Sequence, residues 1–143
     1  MSFSKNSVSE LPHYEVAAGL IQKDGKILIT QRRFGDTFGG LWELPGGKQE
    51  VGESLQQCLI REIHEELNFK INVIEKLMSI SFRYDHVEIT LHVFSCSVLK
   101  GSPETKGVQD WRWIDLQDID QHNFTAADQK VIENLNELSM MRN

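Results

Sequence analysis

The amino-acid sequence predicts an α/β fold, a sandwich in which helices pack against a mixed β-sheet. Two segments have the apolar periodicity of amphipathic helices, one over residues 54–68 and one over residues 126–138. Strand patterns precede and follow the first of them, and Asp24-Gly25 marks a tight hairpin between two strands. Because an amphipathic helix must bury its apolar stripe, this order of elements favours helices packed on a sheet.

Alternating or continuous apolar runs, bounded by turn residues, predict the strands. The first two flank the Lys23-Asp24-Gly25 turn, and a short extended piece lies between two glycine-rich loops. Two long runs after the first helix form an antiparallel pair, the second of which alternates apolar and polar residues. The predicted strands are Glu15–Ile21, Lys26–Arg32, Leu41–Leu44, Ile71–Tyr84, Val87–Val98 and Trp111–Ile114.

The first helix has its own start and stop signals. Ser54 is the predicted N-cap, and Glu53 places negative charge near the N-terminal end of the helix dipole. Asn68 stands where a left-handed residue ends a helix, and Phe69 supplies the hydrophobic contact of that cap. The apolar stripe of this helix is Leu55, Cys58, Leu59, Ile63 and Leu67.

The second helix is predicted from a similar combination of signals. Thr125 and Asp128 have the spacing of a capping box, which would start the helix at Ala126. Its predicted buried stripe is Val131, Ile132, Leu135 and Leu138.

Length and composition indicate one globular domain. We expect residues 14–140 to form it and residues 1–13 to be a flexible polar leader. No apolar run is long enough for a membrane span, and no signal-peptide pattern is present. We expect Cys58 and Cys96 to be buried thiols rather than a disulfide, which fits a reducing cytoplasm. The net charge of −6 argues against a nucleic-acid polymer as partner, though not against a nucleotide that arrives with Mg²⁺. A monomer is expected, with a dimer as the alternative.

Three acids of the first helix carry the strongest functional signal. Glu62, Glu65 and Glu66 fall at i, i+3 and i+4, so their carboxylates crowd one helical face and repel each other. A bound divalent cation would turn this repulsion into ligation, and hard oxygen ligands suit Mg²⁺ or Mn²⁺. Arg61 would hold a carboxylate through a charge-assisted hydrogen bond. The alternative is an ordinary glutamate-rich surface helix.

The spacing around these acids resembles the signature of the Nudix hydrolase family. The match consists of Gly47, five residues, Glu53, seven residues, then Arg61-Glu62-Ile63-x-Glu65-Glu66-x-x-Phe69. The family usually has Gly where this chain has Asn68, and Asn is the next-best residue for a left-handed conformation. The resemblance implies an α/β/α sandwich with a mixed sheet.

The same resemblance implies a set of site residues. Glu65 and Glu66 would be the principal metal ligands, with the Gly47 carbonyl and Glu53 completing the shell. Glu62 would be either a ligand or the general base, because the titrations of a coupled acidic cluster belong to the group. Arg61 would orient Glu62. The implied cofactor is Mg²⁺, with Mn²⁺ as a substitute.

Flanking segments are similar to the MutT-like branch of that family. They include Val16–Ile21, Ile29–Arg32, Leu41–Lys48, Ile89–Leu91 and Phe124–Asp128. The branch implies hydrolysis of nucleoside triphosphates such as 8-oxo-dGTP to monophosphate and pyrophosphate, in nucleotide-pool sanitation and DNA repair. The alternatives are a cytidine-type triphosphate pyrophosphohydrolase, hydrolysis of another nucleoside diphosphate linkage, and a non-enzymatic nucleotide sensor.

The branch also implies substrate contacts. Arg32 and Lys48 would contact phosphates, and Leu44 and Tyr84 would line the base pocket. Asp128 would contact the base, where an ionised carboxylate only accepts hydrogen bonds; the alternative is a plain acid at a helix N-terminus.

One metal-binding position of the branch is missing from this chain. A further Glu often stands six residues before the position of Trp113, where this chain has Gly107. Either Glu104 or Asp110 would have to replace it, or the site works with helix ligands and water alone.

Overall fold

The computed structural model describes residues 11–142, with side chains up to residue 137. The first strand begins at His13, and residues 1–10 of the predicted leader lie outside the described residues. The strands are β1 His13–Lys23, β2 Lys26–Gln31, β3 Trp42–Glu43, β4 Gly46–Lys48, β5 Lys70–Arg83, β6 Glu88–Lys100 and β7 Asp110–Asp115. The helices are α1 Leu55–Leu67, a 3₁₀ helix Leu116–Gln121, and α2 Ala126–Arg142.

The described strands form one mixed sheet. β1 lies at its centre and pairs in parallel with β6, while β6 pairs antiparallel with β5. On its other edge β1 pairs antiparallel with β2 near one end and with β4 near the other. β2 in turn pairs antiparallel with β7 and β3. The short strand β4 therefore runs beside the start of β1 and leads into helix α1.

The predicted hairpin between β1 and β2 is confirmed. Asp24 and Gly25 have φ angles of 52° and 78°, both in the left-handed region. Two successive left-handed residues are the requirement of a type I′ turn, whose twist matches that of the flanking strands.

Each face of the sheet carries a hydrophobic core beneath one helix, so the predicted α/β/α sandwich is confirmed. Helix α1 packs on one face through its predicted stripe, and helix α2 packs on the opposite face. Cys58 and Cys96 are buried free thiols in the first of these cores, as expected. The α1 core includes Ala17, Ile21, Leu28, Leu59, Ile63, Leu67 and Phe94. The α2 core includes Leu20, Ile29, Trp42, Val93, Phe124, Val131 and Leu135.

Both predicted ends of α1 are confirmed. Ser54 is the N-cap and accepts a hydrogen bond from the backbone N–H of Gln57, whose side chain accepts from the Ser54 N–H in return. Asn68 has a φ of 54° and donates its backbone N–H to the carbonyl of His64. These caps hold the acidic helix at a defined start and end.

The capping box predicted for α2 is wrong. In such a box the Thr125 N–H would donate to the Asp128 carboxylate, but it donates to the Trp42 carbonyl at 3.0 Å. The Asp128 carboxylate instead accepts from the backbone N–H of Leu44 at 2.6 Å. Thr125 and Asp128 are both buried. Thr125 bonds to strand β3, and Asp128 bonds to the loop that follows β3. Asp128 therefore ties α2 to the segment that enters β4.

Among residues 11–142, no helix combines the length and the apolar character that a bilayer span requires.

Candidate active site

An acidic cavity of about 540 Å³ lies between helix α1, strand β4 and the loop before β7. Glu62 and Glu66 line it from the helix, and the backbone of Gly46 and Gly47 lines it from β4. Strand pairing holds this backbone in place, since Gly47 lies opposite Ala17 in the β1–β4 ladder. The other lining residues include Tyr14, Arg32, Arg33, Glu43, Lys48, Glu50, Gly107 and Val108.

Arg61 organises the carboxylates of the helix. Its Nη2 and Nε donate to the two oxygens of Glu53 at 2.7 and 3.0 Å, a bidentate pair. Its Nη1 donates to Glu62 Oε1 at 2.8 Å and to Glu65 Oε1 at 3.0 Å. Nη2 also reaches the carbonyl of Lys48 at 3.0 Å, which fastens α1 to the end of β4. Arg61 therefore contacts Glu62 directly, and its role in orienting that carboxylate stays a prediction.

The network separates the ionisation of Glu53 from that of Glu62. Hydrogen bonds from Arg61 and from the Glu50 N–H lower the pKa of Glu53 to about 2, so Glu53 stays ionised. Burial raises the pKa of Glu62 above its usual value, and Arg61 offsets only part of that rise. Glu53 therefore acts as a fixed counter-charge of Arg61, whereas the carboxyl of Glu62 takes up a proton more readily than an ordinary glutamate does.

Glu66 is an acid of this helix whose carboxyl has a pKa near neutrality. Burial, followed by the charges of Glu62 and Glu43, raises the pKa of its carboxyl to about 7. A carboxyl held near neutrality by desolvation and like charges is typical of a site that awaits a cation or a proton.

Gly47 approaches Glu62 so closely that a side chain at position 47 would displace the Glu62 carboxyl. A Cβ placed on Gly47 would overlap the carboxyl group of Glu62 and lie 2.7 Å from its Cγ. The Gly47 carbonyl accepts a weak hydrogen bond from the Cys58 thiol at 3.4 Å. Glycine at this position lets the carboxyl of Glu62 lie directly against the β4 backbone.

Glu65 lies apart from the other predicted ligands. Its side chain is 55% exposed, contacts Arg61, and lines a groove on the outer side of α1 with Ile60 and His64. It does not line the acidic cavity, so its assignment as a principal ligand stays a prediction.

The donors at the cavity fit a hard divalent cation by their chemistry. Glu62, Glu66, Glu43 and the Gly47 backbone present oxygen atoms, which are the ligands of Mg²⁺ or Mn²⁺. Within residues 11–142, no three Asp, Glu, His or Cys side chains are already gathered as a metal-ligating group. Two observations support the fit: Glu62 lies directly against Gly47, and burial, followed by the charges of Glu62 and Glu43, raises the pKa of Glu66.

Glu43 is the site residue that sequence reasoning missed. It lines the acidic cavity from β3, and its carboxylate accepts from Arg32 Nη1 at 3.2 and 3.3 Å. Burial raises its pKa, and the charge of Arg32 offsets part of that rise. The signal that could have revealed it is an acid within the apolar run Leu41–Leu44, next to a glycine-rich loop.

A second, more apolar cavity of about 380 Å³ adjoins the acidic one. The predicted substrate contacts Arg32, Leu44, Lys48, Tyr84 and Asp128 all line it, so the fold brings these five residues together. The Lys48 ammonium lies 4.0 Å from the centre of the Tyr14 ring. The residues that line both cavities are Tyr14, Arg32, Glu43, Gly46, Gly47 and Lys48.

Asp128 has an environment that favours its neutral form. It is only 5% exposed, and burial together with the charge of Glu43 raises its pKa well above the usual value. A protonated carboxyl donates one hydrogen bond as well as accepting others. A proton on this carboxyl would add a donor to the acceptor oxygens that the sequence led us to expect at the base-side cavity.

Neither Glu104 nor Asp110 supplies the acid that is missing at Gly107. Glu104 accepts from the Asn68 side chain at 3.2 Å, and Asp110 accepts from the Trp111 N–H at 2.8 Å. Neither lines the acidic cavity. Gly107 does reach it and donates its N–H to the Glu66 carbonyl at 2.8 Å. The loop before β7 thus contacts Glu66 without adding a carboxylate.

Known proteins are similar to this chain in sequence over most of its length. The family model of the NUDIX domain matches residues 16–134. The CTP pyrophosphohydrolase of Escherichia coli (strain K12) is 34% identical over 83% of this chain and 88% of its own length. An 8-oxo-dGTP diphosphatase of Haemophilus influenzae is 32% identical over 85% of this chain and 90% of its own length.

Solved structures have the same fold. The solution structure of the E. coli ORF135 protein superposes with a TM-score of 0.79 at 32% identity, covering 94% of this chain and 96% of that one. The crystal structure of a MutT protein from Methanosarcina mazei Go1 gives a TM-score of 0.80 at 23% identity, covering 91% of this chain and 97% of that one. The second likeness concerns the fold alone.

Proposed function

The chain belongs to the Nudix hydrolase family, and we propose that it hydrolyses nucleoside triphosphates to nucleoside monophosphate and pyrophosphate with the help of Mg²⁺. The observation that carries this proposal is the junction of the two cavities. An acidic cavity lined by Glu62 and Glu66 opens into an apolar cavity lined by Leu44 and Tyr84. A nucleotide has two matching parts, a charged phosphate chain and a base with flat aromatic faces.

The residues that would hold the metal are among those that line the acidic cavity with oxygen atoms. We assign Glu66 and the Gly47 carbonyl to it, with Glu43 as a neighbouring acid. A bound Mg²⁺, or Mn²⁺ in its place, would neutralise phosphate charge and lower the pKa of an attacking water. Glu53 would act through Arg61, because both of its oxygens are already bonded to that guanidinium.

Glu62 is the proposed proton acceptor. Arg61 holds its Oε1, while Oε2 is the oxygen nearest to the position of a Cβ on Gly47. This arrangement leaves Oε2 free to take a proton from water beside Gly47. Its raised pKa brings proton affinity closer to neutral pH, which favours general base catalysis.

Arg32, Arg33 and Lys48 would bind the phosphate chain. All three line the acidic cavity, and cations there would compensate the charge of a triphosphate. Arg32 is held in place by the carboxylate of Glu43 and by the carbonyl of Thr37, to which its Nε donates at 2.6 Å. Glu43 would thus position Arg32 for the substrate.

For the base we propose oxidised purines such as 8-oxoguanine, with cytosine as the second candidate. The first follows the relatives named 8-oxo-dGTP diphosphatase, and the second follows the CTP pyrophosphohydrolase of E. coli. Asp128 favours neither by itself, because a neutral carboxyl both donates and accepts and so can pair with either base edge. The expected role is sanitation of the nucleotide pool, in support of DNA repair, in a cytoplasmic and monomeric enzyme.

The test is pyrophosphate release with Mg²⁺ from 8-oxo-dGTP, dGTP, dCTP and 5-substituted dCTPs. The values of kcat/KM are compared, because specificity is their ratio and a single saturating concentration would hide it. Monophosphate and pyrophosphate from any of these support the proposal. Turnover confined to ADP-ribose or dinucleoside polyphosphates would move the chemistry to another diphosphate linkage, and tight binding without turnover would indicate a sensor.

A further inference from the structure

The loop between β2 and β3, residues 32–41, is pinned at its base beside the apolar cavity. The Gly40 N–H donates to the Arg32 carbonyl at 2.9 Å, and the Arg32 N–H donates to the Leu41 carbonyl at 2.9 Å. The Arg32 guanidinium closes the loop further through its 2.6 Å bond to the Thr37 carbonyl. These hydrogen bonds fix the backbone of the loop on both sides of Phe38.

Phe38 occupies that place in a backbone conformation that a bulky residue rarely adopts. Its φ is 59°, in the left-handed region, where a large side chain is an outlier and such strain clusters at functional sites. The next residue must be glycine, because a Cβ on Gly39 would lie 2.6 Å from the carbonyl oxygens of Arg33 and Phe34. The close packing at Gly39 therefore fits a loop in which Phe38 has a left-handed backbone conformation.

The ring of Phe38 forms an aromatic wall of the apolar cavity with Tyr84. The two ring centres are 4.9 Å apart, and Tyr84 is itself 4.7 Å from Phe82. The Tyr84 hydroxyl accepts from the Ala127 N–H at 3.1 Å, which anchors this wall to helix α2. Phe38 as a residue nevertheless remains 43% exposed, so part of its surface is accessible to a ligand.

We propose that Phe38 is a specificity-determining residue whose ring stacks on the base of the bound nucleotide. The inference rests on the proposed function and adds to it the residue that binds the base face. The ring lines the same cavity as Asp128 and Leu44. Asp128 would then contact the edge of the base while Phe38 contacts its face. A base in contact with an aromatic ring gains stacking energy whatever its edge pattern.

The experiment compares Phe38→Ala, Phe38→Leu and Phe38→Tyr with a control in the same loop, Phe34→Ala. Phe34 is 68% exposed and does not line the cavity. Alanine keeps a Cβ, so the left-handed preference of residue 38 changes little. Stacking on an aromatic side chain is worth about 1–3 kcal/mol per base, or about 5- to 150-fold in affinity.

The expected result is a rise of KM in this range for Phe38→Ala, with kcat nearly unchanged, because stacking binds ground and transition states alike. The rise of KM should be larger for purine than for pyrimidine substrates, since purines have larger faces for stacking. Phe38→Tyr should resemble the wild type and Phe38→Leu should resemble Phe38→Ala. Phe34→Ala should change neither constant.

A second measurement separates this inference from the proposed function. Calorimetric binding of nucleoside monophosphates without metal should weaken about 5- to 150-fold in Phe38→Ala and stay unchanged in Phe34→Ala. Wild-type affinity in Phe38→Ala, or full rescue by leucine, would overturn the stacking role. A fall in kcat with constant KM would also overturn it. Absence of wild-type turnover would overturn the proposed function instead, while the binding comparison would still test the ring.

Discussion

Replacing Asp128 by asparagine should change the order of preferred bases without harming the fold. The amide oxygen of the new side chain would still accept from the Leu44 N–H, which Asp128 binds at 2.6 Å in the wild type. The amide NH₂ is a permanent donor, whereas the carboxyl of Asp128 donates only while it is protonated. The substitution thus fixes one hydrogen-bonding pattern at the base-side cavity.

The magnitude follows from burial. Asp128 is 5% exposed, so a mismatched donor or acceptor there finds no water and costs about 1–3 kcal/mol. This cost converts to a change of about 5- to 150-fold in the ratio of kcat/KM between two bases. Asp128→Ala removes the acceptor of the buried Leu44 N–H and should destabilise the fold by about 1–3 kcal/mol, which Asp128→Asn should not do.

The difference in base selectivity between the wild type and Asp128→Asn should depend on pH in a definite direction. The raised pKa of Asp128 means that the wild type has the donor at low pH and loses it as pH rises through the folded-state pKa. Selectivity of the wild type and of Asp128→Asn should therefore converge at low pH and separate at high pH. The assay is pyrophosphate release from the nucleotide panel across pH. An identical preference order in both proteins at every pH would refute a role for Asp128 in base recognition.

Three further predictions concern the acidic cavity. Gly47→Ala should push the Glu62 carboxyl aside and lower kcat at least about tenfold while thermal unfolding changes little, because the clash falls on the end of a flexible side chain. Glu43→Gln should raise KM for triphosphates by releasing Arg32 from its ion pair, as steady-state kinetics would measure. In EDTA, the wild type should lose about 1–2 kcal/mol of stability between about pH 5 and pH 8 that Glu66→Gln does not lose.

The sign of the last prediction follows from proton binding. Glu66 keeps its proton up to about pH 7 in the fold, against a reference value of 4.5. Its contribution to stability is complete below 4.5 and is lost as pH rises through about 7. Parallel pH profiles of unfolding for the wild type and Glu66→Gln would contradict it. An unchanged kcat in Gly47→Ala, or an unchanged KM in Glu43→Gln, would contradict the other two.

Local signals were sufficient for helix α1 and for the hairpin. Ser54 and Asn68 act on their own neighbours in the chain, so cap chemistry is readable from the sequence. The turn at Asp24-Gly25 is local in the same way. The acids of α1 and Arg61 form a network largely within one helix, and their spacing already placed them together.

Tertiary contacts decided the rest. Asp128 has the spacing of a helix cap, yet its partner is Leu44, which lies 84 residues earlier in the chain. Glu43 becomes a site residue only because β3 brings it beside Arg32 and the acidic helix. Phe38, in the loop before β3, packs against the ring of Tyr84, which follows β5, and both residues line the apolar cavity. No periodicity within the chain encodes such approaches.

The central claim is that the acids around Gly47 drive hydrolysis of a nucleoside triphosphate. Its most direct test is identification of the products formed by the wild type and by Glu66→Gln with Mg²⁺. We predict nucleoside monophosphate and pyrophosphate from the wild type, and a rate roughly 100- to 1,000-fold lower from a folded Glu66→Gln protein. Nucleoside diphosphate and inorganic phosphate as products, or a Glu66→Gln protein as fast as the wild type, would contradict the account.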